Sequence, residues 1–396
     1  MRNLMTSASA IDTVLREAVD AGHVPGVVAM AADRDGVIYE GAFGRRGVPD
    51  GAPMTRDTVF WIASMTKPVT AVAVMKLVEQ SRLWLDRPAQ EILPELADTK
   101  VLEGFDASGA PRLRAPRRPM TLRHLLTHTS GFGYDTWNAD LFDYFAKTGR
   151  PTHATGKLAG LNAPLIFDPG EGWAYGIGID WAGRMVEAAS GKALDTYMRD
   201  HIFDPLHMRD TGYELRPDQL SRLADTHARK PNGSLEMFER HPPQKPEFIA
   251  GGGGLNSTAA DYLTFLRMLL GGGQFDGVRL LHPDTVAMMG QNHIGAINVA
   301  PMWSTKPTAS NDIELFPGMV KKWGLSFLIN TADVAGRRRA GSLTWAGLGN
   351  TFFWLDPNQQ IAGVFLTQIL PFGDHAVLRT LGAFENAIYA AADRTN

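Results

Sequence analysis

Cysteine is absent from all 396 residues. That excludes a disulfide framework, a zinc–thiolate centre and a cysteine nucleophile. No run approaches the roughly 18 to 20 consecutive apolar residues that a membrane span requires. The opening MRNLMTSASAID has no apolar stretch before Asp12, so it reads as an amphipathic helix and not as a signal peptide. An excess of one charge sign is missing as well. A net charge of -3 argues against a general nucleic-acid binder. Two short basic clusters, RLRAPRRP (112–119) and GRRRAG (336–341), read as solvated loops. Together these absences fit a cytoplasmic protein with neither a membrane nor a nucleic acid as partner.

What is present is a globular composition, 44% hydrophobic and 20% charged, on a chain long enough for two lobes. Strand patterns gather at the ends. VVAMAA and VIYEGAF flank the turn signal DRDG as a hairpin, and WGLSFLIN, RRAGSLTWAG, NTFFWLDP and QIAGVFLTQIL follow late in the chain. Helical spacing dominates between them, in TLRHLLTHTS, GIDWAGRMVEAAS, ALDTYMRDHIF and AADYLTFLRMLLGGG, and returns in a last helix from DHAVLRTLG onward. The expected fold is α/β (α+β), a central antiparallel sheet flanked by helices. Residues 1–85 and 318–396 would form one discontinuous domain, 86–317 a mostly helical insert, with a site in the cleft between them.

The chemistry centres on FWIASMTKPVTAVAVMK. Ser64 stands where an apolar helix begins, which is the place of an N-cap. Lys67 follows three residues later, on the same helical face, and can reach back to the hydroxyl as a proton acceptor for a nucleophile. This is the sole S-x-x-K in the chain. No serine sits in G-x-S-x-G, so the nucleophile elbow of α/β-hydrolases is missing.

Three more stretches complete a pattern: LLTHTSGFG (125–133), FDPGEGWAYGIGIDWAG (167–183) with Tyr175 just before a helix, and LTWAGLGN (343–350). In this order, after S-x-x-K, they resemble the serine β-lactamase and penicillin-binding-protein superfamily, within it the class C-like branch and especially the family VIII carboxylesterases. VPGVVAMAADRDG, DPLHMRDTGY and GGGGLNSTAADYLTFLRMLLGGG extend the resemblance over nearly the whole chain. It implies a β-lactamase-like fold, Ser64 as the acylated nucleophile, and Lys67 with Tyr175 as a coupled proton relay. The backbone N–H groups of Ser64 and Leu348 would form the oxyanion hole. Trp345, Ala346 and Gly347 stand where β-lactamases carry K-T-G, and Ile177 stands where they carry the Y-x-N asparagine. Both changes remove groups suited to a charged, amide-bearing lactam, and leave a substrate site suited to an uncharged ester.

The expected activity is therefore that of a serine carboxylesterase acting on small or short-acyl esters, with no cofactor and no metal. Alternatives are an acyltransferase, a β-lactamase or D-amidase of the same fold and, outside the enzymes, an acylated receptor. His124 and His128 lie four apart like two metal ligands, but with no third ligand evident they read as structural. The glycine run 251–254 lacks the G-K-[ST] of a phosphate loop and reads as a tight turn near the cleft.

Overall fold

The computed structural model describes residues 2–240, 242–243 and 246–392. The two ends of the chain meet in one antiparallel sheet. Its seven strands run from edge to edge as Lys321–Trp323, Leu328–Asn330, Leu343–Gly347, Thr351–Asp356, Ile361–Leu366, Gly26–Asp33 and Val37–Gly44. The amino-terminal hairpin closes at DRDG, where Asp33 Oδ1 accepts from the N–H groups of Asp35 and Gly36 at 2.8 and 2.9 Å. The long-range join sets Gly26–Asp33 beside Ile361–Leu366, with Met30 opposite Val364.

Strands Thr351–Asp356 and Ile361–Leu366 are buried along their whole length, because helices cover both faces of the sheet. On one face lie the terminal helices Arg2–Asp20 and His375–Ala392, packed on each other. There the Phe384 ring meets Tyr39, Trp354 and Phe365. On the other face helix Ala259–Leu270, which belongs to the 86–317 stretch, packs on strands Gly26–Asp33 and Ile361–Leu366, and Tyr262 meets Phe353. Alternation along Thr351–Asp356 sends Phe353 to one face and Trp354 to the other. Gly363 sits opposite Trp354, and a Cβ there would lie 2.1 Å from the indole. Only glycine leaves room for that ring.

Both basic clusters keep exposed arginines, as expected, but each also anchors one arginine on a distant acid. Arg114 grips Asp168 through two N–H groups at 2.9 and 2.7 Å, and Arg338 grips Glu385 at 2.7 and 2.8 Å. The carboxylates lie 54 and 47 residues away along the chain, beyond any local reading. Among the described residues no helix is long and apolar enough to cross a membrane.

Candidate active site

A short strand, Phe60–Trp61, pairs with Asn256–Ser257 and leads into a 3₁₀ turn at Ala63–Met65, followed by helix Thr66–Glu79. Ser64 sits in the turn, not at an N-cap: the helix cap is Met65, with no side-chain cap bond. Ala63, directly before the serine, has φ +45°. A non-glycine residue in that region stores on the order of 1–3 kcal/mol of strain, which the surrounding contacts hold in place.

Lys67 is fully buried. Its Nζ donates to Ser64 Oγ at 3.1 Å, to Tyr134 Oη at 3.1 Å and to the carbonyl of Gly252 at 2.6 Å. Three donated bonds are the full capacity of an ammonium. The ammonium also lies 4.7 Å from the centre of the Tyr175 ring and 5.2 Å from that of Tyr134. Ser64 itself is only partly buried, so substrate can reach its hydroxyl.

Tyr175 is buried just before helix Gly178–Ser190, and its Oη accepts from Trp345 Nε1 at 3.0 Å. Trp345 is likewise buried, on the sheet face that carries Phe353, with its ring edge-on to Trp323. Its single N–H is thus committed to the tyrosine. Ala346 and Ile177 are both buried. Gly347 lies so close to the serine turn that a Cβ would fall 2.3 Å from the Ile62 carbonyl oxygen. That approach brings Leu348, the next residue, beside the turn that carries Ser64.

Two participants were not among the sequence candidates. Tyr134 lies one residue beyond the LLTHTSGFG stretch and has no motif of its own. Burial, then the charge of Asp180, hold its phenol pKa well above the ordinary 10, so it remains protonated. Asp180, buried on helix Gly178–Ser190, accepts from the Gly252 N–H at 2.9 Å. Gly252 therefore bridges Asp180 through its N–H and Lys67 through its carbonyl. A Cβ on it would lie 2.7 Å from the aspartate, which is why the glycine run is needed here. The pairing of Asp180 with Gly252 spans 72 residues, so no sequence spacing revealed it.

The histidine pair is divided in space by its bonds. His124 Nδ1 accepts from the Thr121 N–H, capping its own helix. His128 Nδ1 accepts from the Gly176 N–H at 3.4 Å, and its ring lies edge-on to Tyr175. Burial, with Lys67 second, holds His128 well below its usual pKa, so it is neutral. Among the described residues no group of three His, Asp or Glu is placed to hold a metal ion. A separate groove of about 640 Å³, lined by Val19, Pro25, Arg45 and Leu235 among others, contains none of the catalytic candidates.

The chain is similar to known proteins over nearly its whole length. The family profile described as beta-lactamase matches residues 11–387. An ML-236A carboxylate methylbutanoyltransferase of Penicillium citrinum is 34% identical, over 96% of this chain and 94% of its own. A lovastatin esterase of Penicillium rubens is also 34% identical, over 96% and 98%. Among solved structures, a mutant of simvastatin synthase from Aspergillus terreus superposes with a TM-score of 0.85 at 32% identity, covering 98% of each chain.

Proposed function

The chain belongs to the beta-lactamase family of serine enzymes, and from that premise we propose that it transfers an acyl group from an ester or thioester donor, through acyl-Ser64, to an alcohol acceptor. The observation that carries the covalent step is the buried Lys67 Nζ 3.1 Å from Ser64 Oγ. The choice of acceptor draws on the relatives, whose names describe transferases as well as an esterase. Simple ester hydrolysis, as in the family VIII carboxylesterases, is the same reaction with water in the acceptor's place. The transferase named for an ML-236A carboxylate further suggests an acceptor that carries an acid group.

In this mechanism Lys67 and Tyr175 enter with one proton fewer than an ammonium and a phenol together hold, and Ser64 Oγ attacks the donor carbonyl while its proton passes to that pair. Tyr134, kept as a phenol by burial and Asp180, accepts one lysine N–H and fixes the direction of the other two. The N–H groups of Ser64 and Leu348 hold the oxyanion, and loss of one such donor typically costs about 10²- to 10³-fold in rate. The pair returns the proton to the leaving group. The acceptor hydroxyl then gives its proton to the pair and attacks the acyl carbon, which releases Ser64 with its proton restored. Trp345 positions the Tyr175 hydroxyl throughout.

Incubation with p-nitrophenyl butyrate, followed by peptide mass spectrometry, should place a butyryl group on Ser64. Added 1-butanol should divert that group into butyl butyrate. Release of butyrate alone at every alcohol concentration would return the reading to a hydrolase, and labelling at another serine would remove Ser64 as nucleophile.

A further inference from the structure

Arg240 is a charged side chain near the serine turn that the mechanism leaves unused. Its guanidinium lies 4.2 Å from the centre of the Trp61 ring. Trp61 is three residues before Ser64 and is fixed on several sides. Its indole N–H donates to the Gly253 carbonyl at 2.9 Å, and a Cβ on Gly253 would lie 3.9 Å from Ala63. Its backbone N–H and carbonyl are both held by the Gln368 side chain, at 3.0 and 3.3 Å. The Gln368 carbonyl in turn accepts from the His227 N–H at 2.9 Å, and His227 begins the hairpin 227–237 that leads to Arg240. The arginine and the serine turn thus share one framework.

Among the described residues no carboxylate pairs with Arg240 and no hydrogen bond leaves its guanidinium; the indole face is its recorded contact. Several other arginines withdrawn from water do have acids: Arg114 has Asp168, Arg222 has Asp210, and Arg338 has Glu385. Burial without such a partner lowers the Arg240 pKa to about 10. A cation in that position gains from an incoming anion, and its planar fork supplies two parallel N–H donors.

We propose that Arg240, laid on Trp61 beside the serine turn, binds the carboxylate of an acyl acceptor; this rests on the acyl-transfer reading above. One guanidinium matches one monoanionic carboxylate in charge and in donor number, whereas a phosphomonoester dianion calls for further donors. The exposed Met237 and Phe238 just before Arg240 in the chain suit the apolar body of such a hydroxy acid.

The test compares 6-hydroxyhexanoate with its neutral analogue 6-hydroxyhexanamide as acceptors of the butyryl group from p-nitrophenyl butyrate. The wild type should favour the acid by about tenfold or more in kcat/KM, the scale of a charge-assisted hydrogen bond. Arg240→Gln should collapse that ratio toward unity, and Arg240→Lys should retain part of it. A ratio near unity in the wild type, or one unchanged in Arg240→Gln, overturns the proposal. Titration calorimetry with hexanoate, hexanamide and hexyl phosphate gives a readout that does not depend on transfer. If neither acceptor is acylated yet the wild type binds hexanoate well above hexanamide, and Arg240→Lys weakens only that preference, the carboxylate site stands and the transferase reading falls. Equal binding of hexanoate and hexanamide overturns the site whatever the activity. Tighter binding of hexyl phosphate than of hexanoate overturns the carboxylate assignment.

Discussion

Lys67 is the residue on which the others converge, because its Nζ meets Ser64, Tyr134 and Gly252 together. Lys67→Ala and Tyr175→Phe should each remove most of the activity, and the double variant should be little worse than either single one, since members of one relay are not additive. Multiplicative losses in steady-state kinetics would separate the two residues. Tyr134→Phe deletes one acceptor of the ammonium without touching the nucleophile. The expected loss is about 10- to 100-fold in kcat, the value of one hydrogen bond to a charged group, with KM little changed. Trp345→Phe keeps an aromatic ring but removes the N–H that holds Tyr175 Oη. Its effect should fall on kcat more than on KM, and a change confined to KM would make Trp345 a wall of the substrate site instead. Ser64, Lys67, Tyr175 and Trp345 were candidates in the sequence because each sits in a short local pattern. Tyr134 and Asp180 were not: their roles come from contacts with residues 67 and 72 positions away, and a lone tyrosine or aspartate carries no local mark of that.

The same limit applies to the elements. The hairpin at Asp33–Gly36, the late strands and the helices at both ends follow from alternation, turn residues and helical spacing, all local signals. The anchors between elements do not. Loop 167–177, which delivers Tyr175, is tied down at Asp168 by Arg114 and by the Arg117 N–H at 2.8 Å. The Arg114 guanidinium holds the Asp168 pKa down to about 2 from 3.8. A carboxyl depressed on folding stabilises the native state above its unfolded pKa, and that contribution is lost as pH falls from about 4 toward 2. Asp168→Asn should therefore be less stable than the wild type at neutral pH, and the two should converge below about pH 2. Urea midpoints measured between pH 2 and 7 would show it. A gap that stays constant over that range would mean that Asp168 acts by packing alone. Because the loop carries Tyr175, the variant should also lose activity at neutral pH before it loses global structure.

Across the whole molecule the sheet separates two functions. Trp345 shares its face with Phe353 and helix Ala259–Leu270, on the side where the serine turn lies against Gly347. The opposite face is closed by the terminal helices, so the first and last segments of the chain meet far from the chemistry. Order along the chain suggested a sheet assembled from both ends, but the pairing of Gly26–Asp33 with Ile361–Leu366 is a register that no local pattern fixes. That closed face holds a buried ion pair, Arg338 with Glu385, whose side chains are 4% and 1% exposed. Arg338 also lies over the rings of Phe316 and Trp354, so it joins the 331–341 loop, the sheet and the last helix. Glu385→Ala would leave the guanidinium buried without its carboxylate, at a cost of about 3–5 kcal/mol. Replacing both partners with apolar residues of similar size should restore much of that loss, because the penalty comes from the unpaired charge more than from the missing attraction. Since the pair lies across the sheet from Ser64, ester turnover per folded molecule should be unchanged in Glu385→Ala while its urea midpoint falls. A proportional drop in specific activity, with the folded fraction held constant, would show that the two faces of the sheet are coupled.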